Sequence, residues 1–261
     1  MAATSPLQHS VHTRLRQHHL TRLMPTRPGG RMLEVGCGVG YLLIQLGQGW
    51  ERFGIDREYN SLRMLHDQAR VVLGNASSLP FPDRFFDLVL CSEVLEHLPE
   101  PEDQACLTEM TRVLKPGGRL LITVPSLEGL RARSPLRNLG HEQPGSGEYH
   151  YRIGYTWESL RSMIDSISDL RLVERCYSMF LFSELVMDLL KWIYFRKHTL
   201  KDQASLSAVR DSRIYQIYRK LFPLLHQLFL LEDRLLCPWL KGHIVILSLE
   251  RQGTPPCKMF F

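Results

Sequence analysis

Several features that mark particular protein classes are missing from this sequence. No uncharged apolar run reaches about 18 residues, so a membrane-spanning helix is not expected. The six cysteines include no CxxC pair, which favours reduced thiols over a zinc or disulfide framework. The N-terminus is polar and lacks the apolar stretch of a secretory signal. Although it carries four histidines, nothing near them supplies further metal ligands, and we expect a cytosolic protein without a metal site.

The composition is that of a globular chain. Hydrophobic residues make up 44% of the 261 residues and charged residues 23%, values that exclude disorder and fibrous repeats. The net charge of +5 is mild and does not by itself indicate a nucleic-acid partner. The length fits one large domain better than two.

Between residues 30 and 125, short apolar or β-branched runs alternate with stretches of helical periodicity. Strands are predicted over 31–35, 52–56, 70–73, 87–91 and 119–124. Helices are predicted over 41–48, 61–68 and 101–114, and KPGG at 115–118 predicts a break before the last strand. This alternation predicts a parallel sheet with helices on both faces.

The second half of the chain is less regular. A long loop over 126–154, a helix over 156–167 and strands over 170–177 and 243–249 are predicted. The apolar-rich stretch between those strands predicts two or three amphipathic helices, interrupted near 198–207 and at Pro223. We therefore divide one domain, 1–261, into a core (25–125), a loop, helix and strand (126–177), an apolar insertion (178–241), and a last strand with a tail (242–261).

The segment LEVGCGVG at 33–40 follows a predicted strand and opens a helix. Its GxGxG spacing departs from the GxGxxG of dinucleotide-binding loops, and Glu34 would repel a pyrophosphate but suits an ammonium group. Twenty positions after Gly36, Asp56 ends the next strand, where a carboxylate can accept both hydroxyls of a ribose. An ordinary glycine-rich turn is the alternative interpretation.

Asn75 and Ala76 follow the third predicted strand. The amide of Asn75 can pair with the edge of an adenine, and the small Ala76 lets a backbone N–H approach the ring. Asn is also a common turn residue, so a purely structural role is the alternative.

Five segments occur in an order and at spacings that resemble the class I S-adenosylmethionine-dependent methyltransferases. They are LEVGCGVG, GID, GNASSLPFPDRFFDLVL, SEVLEHL and RVLKPGGRLLITVP. The chain is most similar in character to the branch that contains the ubiquinone and menaquinone biosynthesis methyltransferases. The resemblance covers 25–125 strongly, 150–160 is similar to a weaker element ending in T-x-E-x-L, and 178–241 carries no family motif.

This resemblance implies a Rossmann-like fold, with a mostly parallel seven-stranded sheet, helices on both faces and a helical insertion before the last strand. The implied cofactor is S-adenosyl-L-methionine. For its methionine part the resemblance implies Glu34, Gly36, Cys37, Gly38 and Gly40. For the ribose it implies Asp56 with Arg57 beside it, for the adenine Asn75 and Ala76, and for the methionine or sulfonium Ser92.

The implied chemistry needs few catalytic groups, because a sulfonium methyl is already a strong electrophile and positioning supplies much of the rate. A base helps only when the acceptor must lose a proton. The candidates are His97, after the fourth strand, and His150, in the predicted loop. Their alternatives are a packed helix-start histidine and a solvated loop residue. Tyr149, Tyr151 and Tyr155 are expected either to shape an acceptor pocket or to seal the edge of the core.

The residues after the fourth strand bear on the acceptor. Enzymes that methylate amino groups of DNA or RNA usually carry a (D/N)PP(Y/F) element there, whereas this chain reads CSEV at 91–94. A Pro-Cys pair at that strand is also missing. We therefore expect a small acceptor, methylated at oxygen or carbon, and no nucleic-acid partner. The alternatives are a protein or RNA methyltransferase and a non-catalytic cofactor-binding scaffold.

The insertion at 178–241 is unusual for its charge and its wide apolar faces. It holds ten basic and six acidic residues, a difference of +4 in a chain whose net charge is +5. Apolar faces with a basic bias are typical of helices that lie on a membrane surface. A lid or homodimer face packed on protein is the alternative. The first interpretation predicts a lipophilic acceptor and a peripheral location on the inner face of the membrane.

Overall fold

A computed structural model describes residues 9–26, 29–129, 151–197 and 213–253. The helices are α1 (Val11–Leu23), α2 (Tyr41–Leu46), α3 (Tyr59–Arg63), α4 (Glu102–Val113), α5 (Trp157–Asp165), α6 (Leu181–Lys197) and α7 (Arg213–Leu236), with a 3-10 turn at Leu95–His97. The strands are β1 (Arg31–Val35), β2 (Glu51–Asp56), β3 (Arg70–Leu73), β4 (Phe86–Ser92), β5 (Leu114–Pro125), β6 (Leu170–Ser178) and β7 (Ile244–Arg251).

The seven strands form one sheet in the order β3-β2-β1-β4-β5-β7-β6. The first five in that order are parallel, and β7 runs antiparallel to both of its neighbours. Helices α6 and α7 lie in the chain between β6 and β7. The predicted sheet and the predicted helical insertion before the last strand are therefore confirmed. The carboxyl ends of β1, β2 and β4 meet at one edge, where open α/β sheets bind ligands.

Two apolar layers cover the sheet. Alternation along β1 sends Leu33 to the layer built with α4 and α5, and Met32 to the layer built with α1, α2 and α7. Four phenylalanines add five edge-to-face contacts to the first layer or its border, with Phe53 and Phe86 at 5.2 Å between ring centroids. The insertion and the N-terminal helix thus share one face of the sheet.

Helix α1 was not expected from the sequence. Ser10 caps it by accepting a hydrogen bond from the Thr13 N–H, and Val11 and Leu15 are fully buried beneath it. The sequence around this helix is polar, but its histidines pack against other parts of the protein. The ring of His9 meets Phe222, and His19 contacts Asp233.

Two predicted breaks were wrong. Helix α7 continues through Pro223, because Tyr218, Phe222 and Phe229 on both sides of the proline are buried and hold the helix against its layer. Strand β5 begins at Leu114, before the predicted break at 115–118. Those four residues bulge, since Leu114 pairs with Phe86 and the next pair joins Arg119 to Leu88.

Two other predictions concern residues that the structure does not describe, or describes only in part. The interruption near 198–207 and most of the loop at 126–154 lie outside the described residues. In the ranges that are described, no helix is long and apolar enough to cross a bilayer.

Candidate active site

A cavity of about 580 Å³ lies at the carboxyl edge of the sheet. Six residues of its wall were candidates from the sequence: Gly36, Asp56, Arg57, Asn75, Ala76 and His97. The wall also holds Tyr151, which was a candidate for the acceptor pocket, and eight residues from the strand ends, the segment after β4 and the start of α4: Ile55, Leu73, Gly74, Glu93, Val94, Leu98, Pro99 and Glu102. The structure therefore brings the proposed ribose, adenine and catalytic positions into one cavity.

Asp56 is held in place by backbone donors. Its Oδ2 accepts the N–H of Gly38 at 2.7 Å, and its Oδ1 accepts the N–H of Glu58 at 2.9 Å. Two such bonds fix the plane of the carboxylate and leave further lone pairs on both oxygens. The carboxylate is thereby prepared to accept a pair of hydroxyls from a ligand in the cavity.

The glycine loop depends on left-handed backbone at three positions. Gly36, Gly38 and Gly40 have φ values of 68°, 48° and 71°. A Cβ at Gly36 would overlap Val94, so this position must stay glycine for the loop to pack against the chain after β4. A Cβ at Gly38 would meet no protein atom within 4 Å, which leaves open space there for a ligand.

Glu34 is buried next to this loop, with only 3% of its surface exposed. Burial raises the pKa of its carboxyl to about 8, against the smaller opposing effects of the Leu43 N–H and the Arg16 charge. Its Oε2 has no hydrogen-bond partner among the described residues. A buried carboxyl oxygen without a donor fits a cationic ligand group, such as an ammonium, at this end of the cavity.

Five of the predicted cofactor residues are not part of the cavity wall: Glu34, Cys37, Gly38, Gly40 and Ser92. Cys37 is buried with its Sγ close to Gly54, and burial raises the pKa of its thiol, so it acts as a small apolar filler. Gly40 starts α2 and lies against Leu65. The Oγ of Ser92 lies 2.9 Å from Thr123 Oγ1 and 3.2 Å from Arg16 Nη1, and the wall beside it is formed by Glu93.

Asn75 forms a turn and also lines the cavity. Its Oδ1 accepts the N–H of Ser77 at 3.1 Å, which is an Asx turn after β3. Asn75 and Ala76 also line the cavity, so the turn presents them to a ligand.

His97 closes the 3-10 turn after β4. Its backbone N–H donates to the carbonyl of Val94 at 2.9 Å, and its half-buried side chain lines the cavity. The second candidate base, His150, lies outside the described residues, as does Tyr149.

The two described tyrosines have different places. Tyr151 lines the cavity, whereas Tyr155 is buried and does not shape an acceptor pocket. The Tyr155 hydroxyl donates to the Leu95 carbonyl at 3.0 Å and lies 3.2 Å from Asp103 Oδ2. Burial raises its pKa, with the Asp103 charge as the next cause. Tyr155 therefore supports the turn that carries His97.

Sequence reasoning missed the charged groups around that turn. Arg16 reaches from α1 to within 3.9 Å of the Glu93 carboxylate. Glu96 is fully buried, and neither of its carboxyl oxygens has a partner among the described residues. Burial first, and then the Glu93 charge, raises the Glu96 pKa. The SEVLEHL segment gave no sign that one of its two acids points inward, because that depends on how the turn packs.

The comparisons with known proteins follow this geometry. The sequence pattern of a methyltransferase domain matches residues 33–122. The chain is 35% identical over 128 residues to 27-O-demethylrifamycin SV methyltransferase of Amycolatopsis mediterranei, covering 43% of this chain and 46% of that protein. It is 36% identical over 166 residues to fatty-acid O-methyltransferase of Mycolicibacterium smegmatis, covering 58% and 60%.

A longer match decides the family. The chain is 32% identical over 171 residues to ubiquinone/menaquinone biosynthesis C-methyltransferase UbiE of Cupriavidus taiwanensis, covering 57% of this chain and 67% of that protein. The chain belongs to the class I S-adenosylmethionine-dependent methyltransferases. This methyltransferase chain spans roughly half to two thirds of the length of each of these three relatives.

Solved structures support the fold of this methyltransferase. A possible histamine N-methyltransferase from Thermotoga maritima aligns with a TM-score of 0.57 at 16% identity, covering 94% of this chain and 91% of its own. The [4+2]-cyclase SpnF aligns with a TM-score of 0.60 at 16% identity, covering 93% and 82%. Because a cyclase shares the fold, the fold alone does not fix the reaction.

S-adenosylmethionine is the cofactor, and the site fits it at two points. The oriented carboxylate of Asp56 matches a ribose, and the unpaired oxygen of Glu34 matches the ammonium of a methionine group. Open space at Gly38 lies between these two positions in the loop. The residues present therefore suit the group that the family uses.

Proposed function

We propose that this protein transfers a methyl group from S-adenosylmethionine to a small, lipophilic acceptor, at an oxygen or a carbon atom. The observation that carries the proposal is the Asp56 carboxylate, which accepts the Gly38 N–H of the glycine loop and lines the same cavity as His97, with the buried Glu34 beside that loop. The names of the relatives, which refer to a rifamycin, a fatty acid and quinones, support a small acceptor.

The bound cofactor supplies a methyl group made electrophilic by its sulfonium. The chain's own part is to bind, to orient and to take up a proton. Asp56 and Glu34 fix the two ends of the cofactor, so that its methyl has one direction of approach. The acceptor atom forms its bond to the methyl carbon as the carbon–sulfur bond breaks. Where that atom carries a proton, His97 is the described cavity residue suited to take it near neutral pH.

The wall of the cavity favours an apolar, uncharged acceptor on the side of the 3-10 turn. Val94, Leu98 and Pro99 line it there. Its ionisable wall residues include three carboxylates, Asp56, Glu93 and Glu102, but one guanidinium, Arg57. This balance disfavours a phosphate-rich acceptor such as RNA, because like charges would face each other.

Label transfer tests the proposal. The protein is incubated with methyl-labelled S-adenosylmethionine and a cell lysate, which is then separated into solvent-extractable, protein and RNA fractions. We expect label in the solvent-extractable fraction, and less of it with Asp56→Ala at a limiting cofactor concentration, because that variant lacks the carboxylate that would hold the ribose. Label in protein or RNA would support the alternative substrate classes. Cofactor binding without any transfer would support a non-catalytic scaffold.

A further inference from the structure

Helix α7 carries a continuous apolar stripe on its outer face. Ile217, Leu221, Leu224, Leu228, Leu231 and Leu235 recur every three or four residues, and each is between 40% and 63% exposed. That spacing places them along one line of the helix. A run of leucines on the outside of a folded domain is a mark of an interaction surface.

The stripe cannot turn inward, because the opposite face of α7 is already packed. Tyr218, Phe222 and Phe229 are buried there, and the Tyr218 hydroxyl donates to the carbonyl of His9 at 2.6 Å. The rotation of the helix is therefore fixed, with the leucines facing solvent.

Helix α6 adds a second apolar row and is fastened to α7. Leu181, Leu185 and Leu189 are exposed at a spacing of four. The Glu232 carboxylate on α7 accepts backbone N–H groups at the start of α6, including that of Ser183 at 2.9 Å. The ring of Phe182 packs on Phe229 at 5.4 Å. The two helices thus present their exposed leucines as parts of one rigid unit.

The charges on α7 are sorted by sign. Both acids of α7 bind groups of other segments. Glu232 accepts N–H groups at the start of α6, and Asp233 contacts His19 and the Ser178 hydroxyl. Arg219, Lys220 and Arg234 are exposed, and within the described part of the chain they form no ion pair. The exposed charge on the described part of α7 is therefore positive, and Lys220 and Arg234 lie nearest the apolar stripe.

We propose that the outer faces of α6 and α7 bind the surface of an anionic membrane, with α7 lying in the plane of the interface. Leucines would enter the boundary between headgroups and acyl chains, while the three cations contact lipid phosphates. The 24 residues of α7 give a contact line of about 36 Å. A second copy of the chain is a poorer occupant, because a two-fold contact would place the same cationic rim against itself.

This proposal concerns the surface alone and does not rest on methyl transfer. Cofactor binding, measured by calorimetry with S-adenosylhomocysteine, is therefore expected to be the same in every variant used to test it. A protein that binds vesicles but not the cofactor would refute the proposed function and leave this surface standing.

The charge arm of the test compares two triple variants of equal net charge. Arg219→Gln, Lys220→Gln and Arg234→Gln remove the three exposed cations described on α7. Arg63→Gln, Arg161→Gln and Arg171→Gln remove exposed cations elsewhere. Flotation with vesicles of phosphatidylcholine and phosphatidylglycerol is expected to show about 100-fold weaker partitioning for the first triple, and little change for the second.

The apolar arm uses Leu224→Gln with Leu228→Gln, against Met64→Gln as an exposed control just after α3. We expect at least about 10-fold weaker partitioning for the double variant and unchanged partitioning for the control. Thermal unfolding checks that each variant is folded. We expect each of them to fold, because all replaced side chains are exposed.

Three results would overturn the proposal. The first is wild-type protein that stays unbound to anionic vesicles at low salt. The second is equal binding by the two charge triples. The third is a wild-type dimer in light scattering that Leu224→Gln with Leu228→Gln converts to a monomer, which would make this surface a contact between copies of the chain.

Discussion

The Nε2 atom of His19 lies 2.7 Å from the Oδ2 atom of Asp233, and this buried pair joins the N-terminal helix to the insertion. Asp233 also accepts the Ser178 hydroxyl and the backbone N–H of Met179, the latter at 3.1 Å. One carboxylate thus connects α1, the end of β6 and α7. Segments that are far apart in the chain depend on it for their relative positions.

Replacing this carboxylate should destabilise the fold. In Asp233→Ala, the His19 ring, the Ser178 hydroxyl and a backbone N–H lose their acceptor while buried, so the free energy of unfolding should fall by about 3 kcal/mol. Urea unfolding at neutral pH measures it. Asp67→Ala, at an almost fully exposed carboxylate, is the control and should change stability by less than about 0.5 kcal/mol. Similar values for both variants would contradict the role of Asp233.

Glu34 should make stability depend on pH. Burial raises its pKa from the usual 4.5 to about 8 in the folded protein, so between these two pH values the folded state holds a proton that the unfolded state has released. Stability present below about pH 4.5 is therefore lost as the pH rises toward 8. Glu34→Gln keeps the neutral form and should be more stable than wild type at pH 8, by about 3 kcal/mol. Thermal unfolding of the cofactor-free protein at pH 5 and pH 8 measures this.

The same variant should bind the cofactor more weakly. If Glu34 ionises to meet the ammonium, cofactor binding at pH 7 releases a proton, which appears as a dependence of the calorimetric enthalpy on the buffer. Glu34→Gln removes the ionisable group and should remove that dependence. Identical proton release in both proteins would show that Glu34 is not the group that ionises when the cofactor binds.

Asp56→Ala should weaken the binding of S-adenosylhomocysteine by about 1–3 kcal/mol, because the oriented carboxylate that accepts hydroxyls is lost. Calorimetry measures the affinity. Glu58→Ala is the control, since only its backbone N–H contacts Asp56. Tight binding of NAD, together with no response to S-adenosylhomocysteine, would contradict the assignment of this site.

Substitutions at Gly36 and Gly38 should have different effects on stability and on cofactor binding. Gly36→Val places a branched side chain where Val94 already lies, so this variant should lose fold stability along with cofactor binding. Gly38→Val meets open space in the protein, so it should keep most of its stability, apart from about 1–2 kcal/mol of backbone strain, and lose cofactor affinity. Unfolding and calorimetry, run on both variants, separate the two effects. An unchanged affinity in Gly38→Val would show that the ligand does not occupy that space.

His97 should matter for turnover rather than for binding. If the acceptor is a phenol or an enol, His97→Ala should lower the rate about 10²–10⁴-fold, with little change in cofactor affinity, because a proton acceptor is lost. His150→Ala is measured in the same way, in single-turnover assays on the labelled acceptor. Wild-type rates in both single variants and in the double variant would mean that positioning alone supports the reaction.

The cofactor half of the site could be predicted from the sequence because its signals are local. Gly36, Asp56 and Asn75 each follow a strand whose period is readable, and parallel strands bring their carboxyl ends to one edge. The spacing LEVGCGVG also excluded the dinucleotide loop without any knowledge of packing. At Ser92 the spacing gives the end of β4 but not the direction of the side chain, whose Oγ lies 2.9 Å from Thr123 Oγ1 and does not form part of the cavity wall.

What only the tertiary structure decided depends on contacts between distant segments. The polar sequence of α1 becomes a buried helix because its histidines meet partners on α7, some 200 residues later. Pro223 does not end α7, because buried aromatic residues on both sides hold the helix. The sequence around 178–241 determined that apolar and basic residues are abundant there. Which of them face solvent was decided by packing, because donors of other segments hold the buried Asp233 and the half-buried Glu232, whereas the cations Arg219, Lys220 and Arg234 stay exposed.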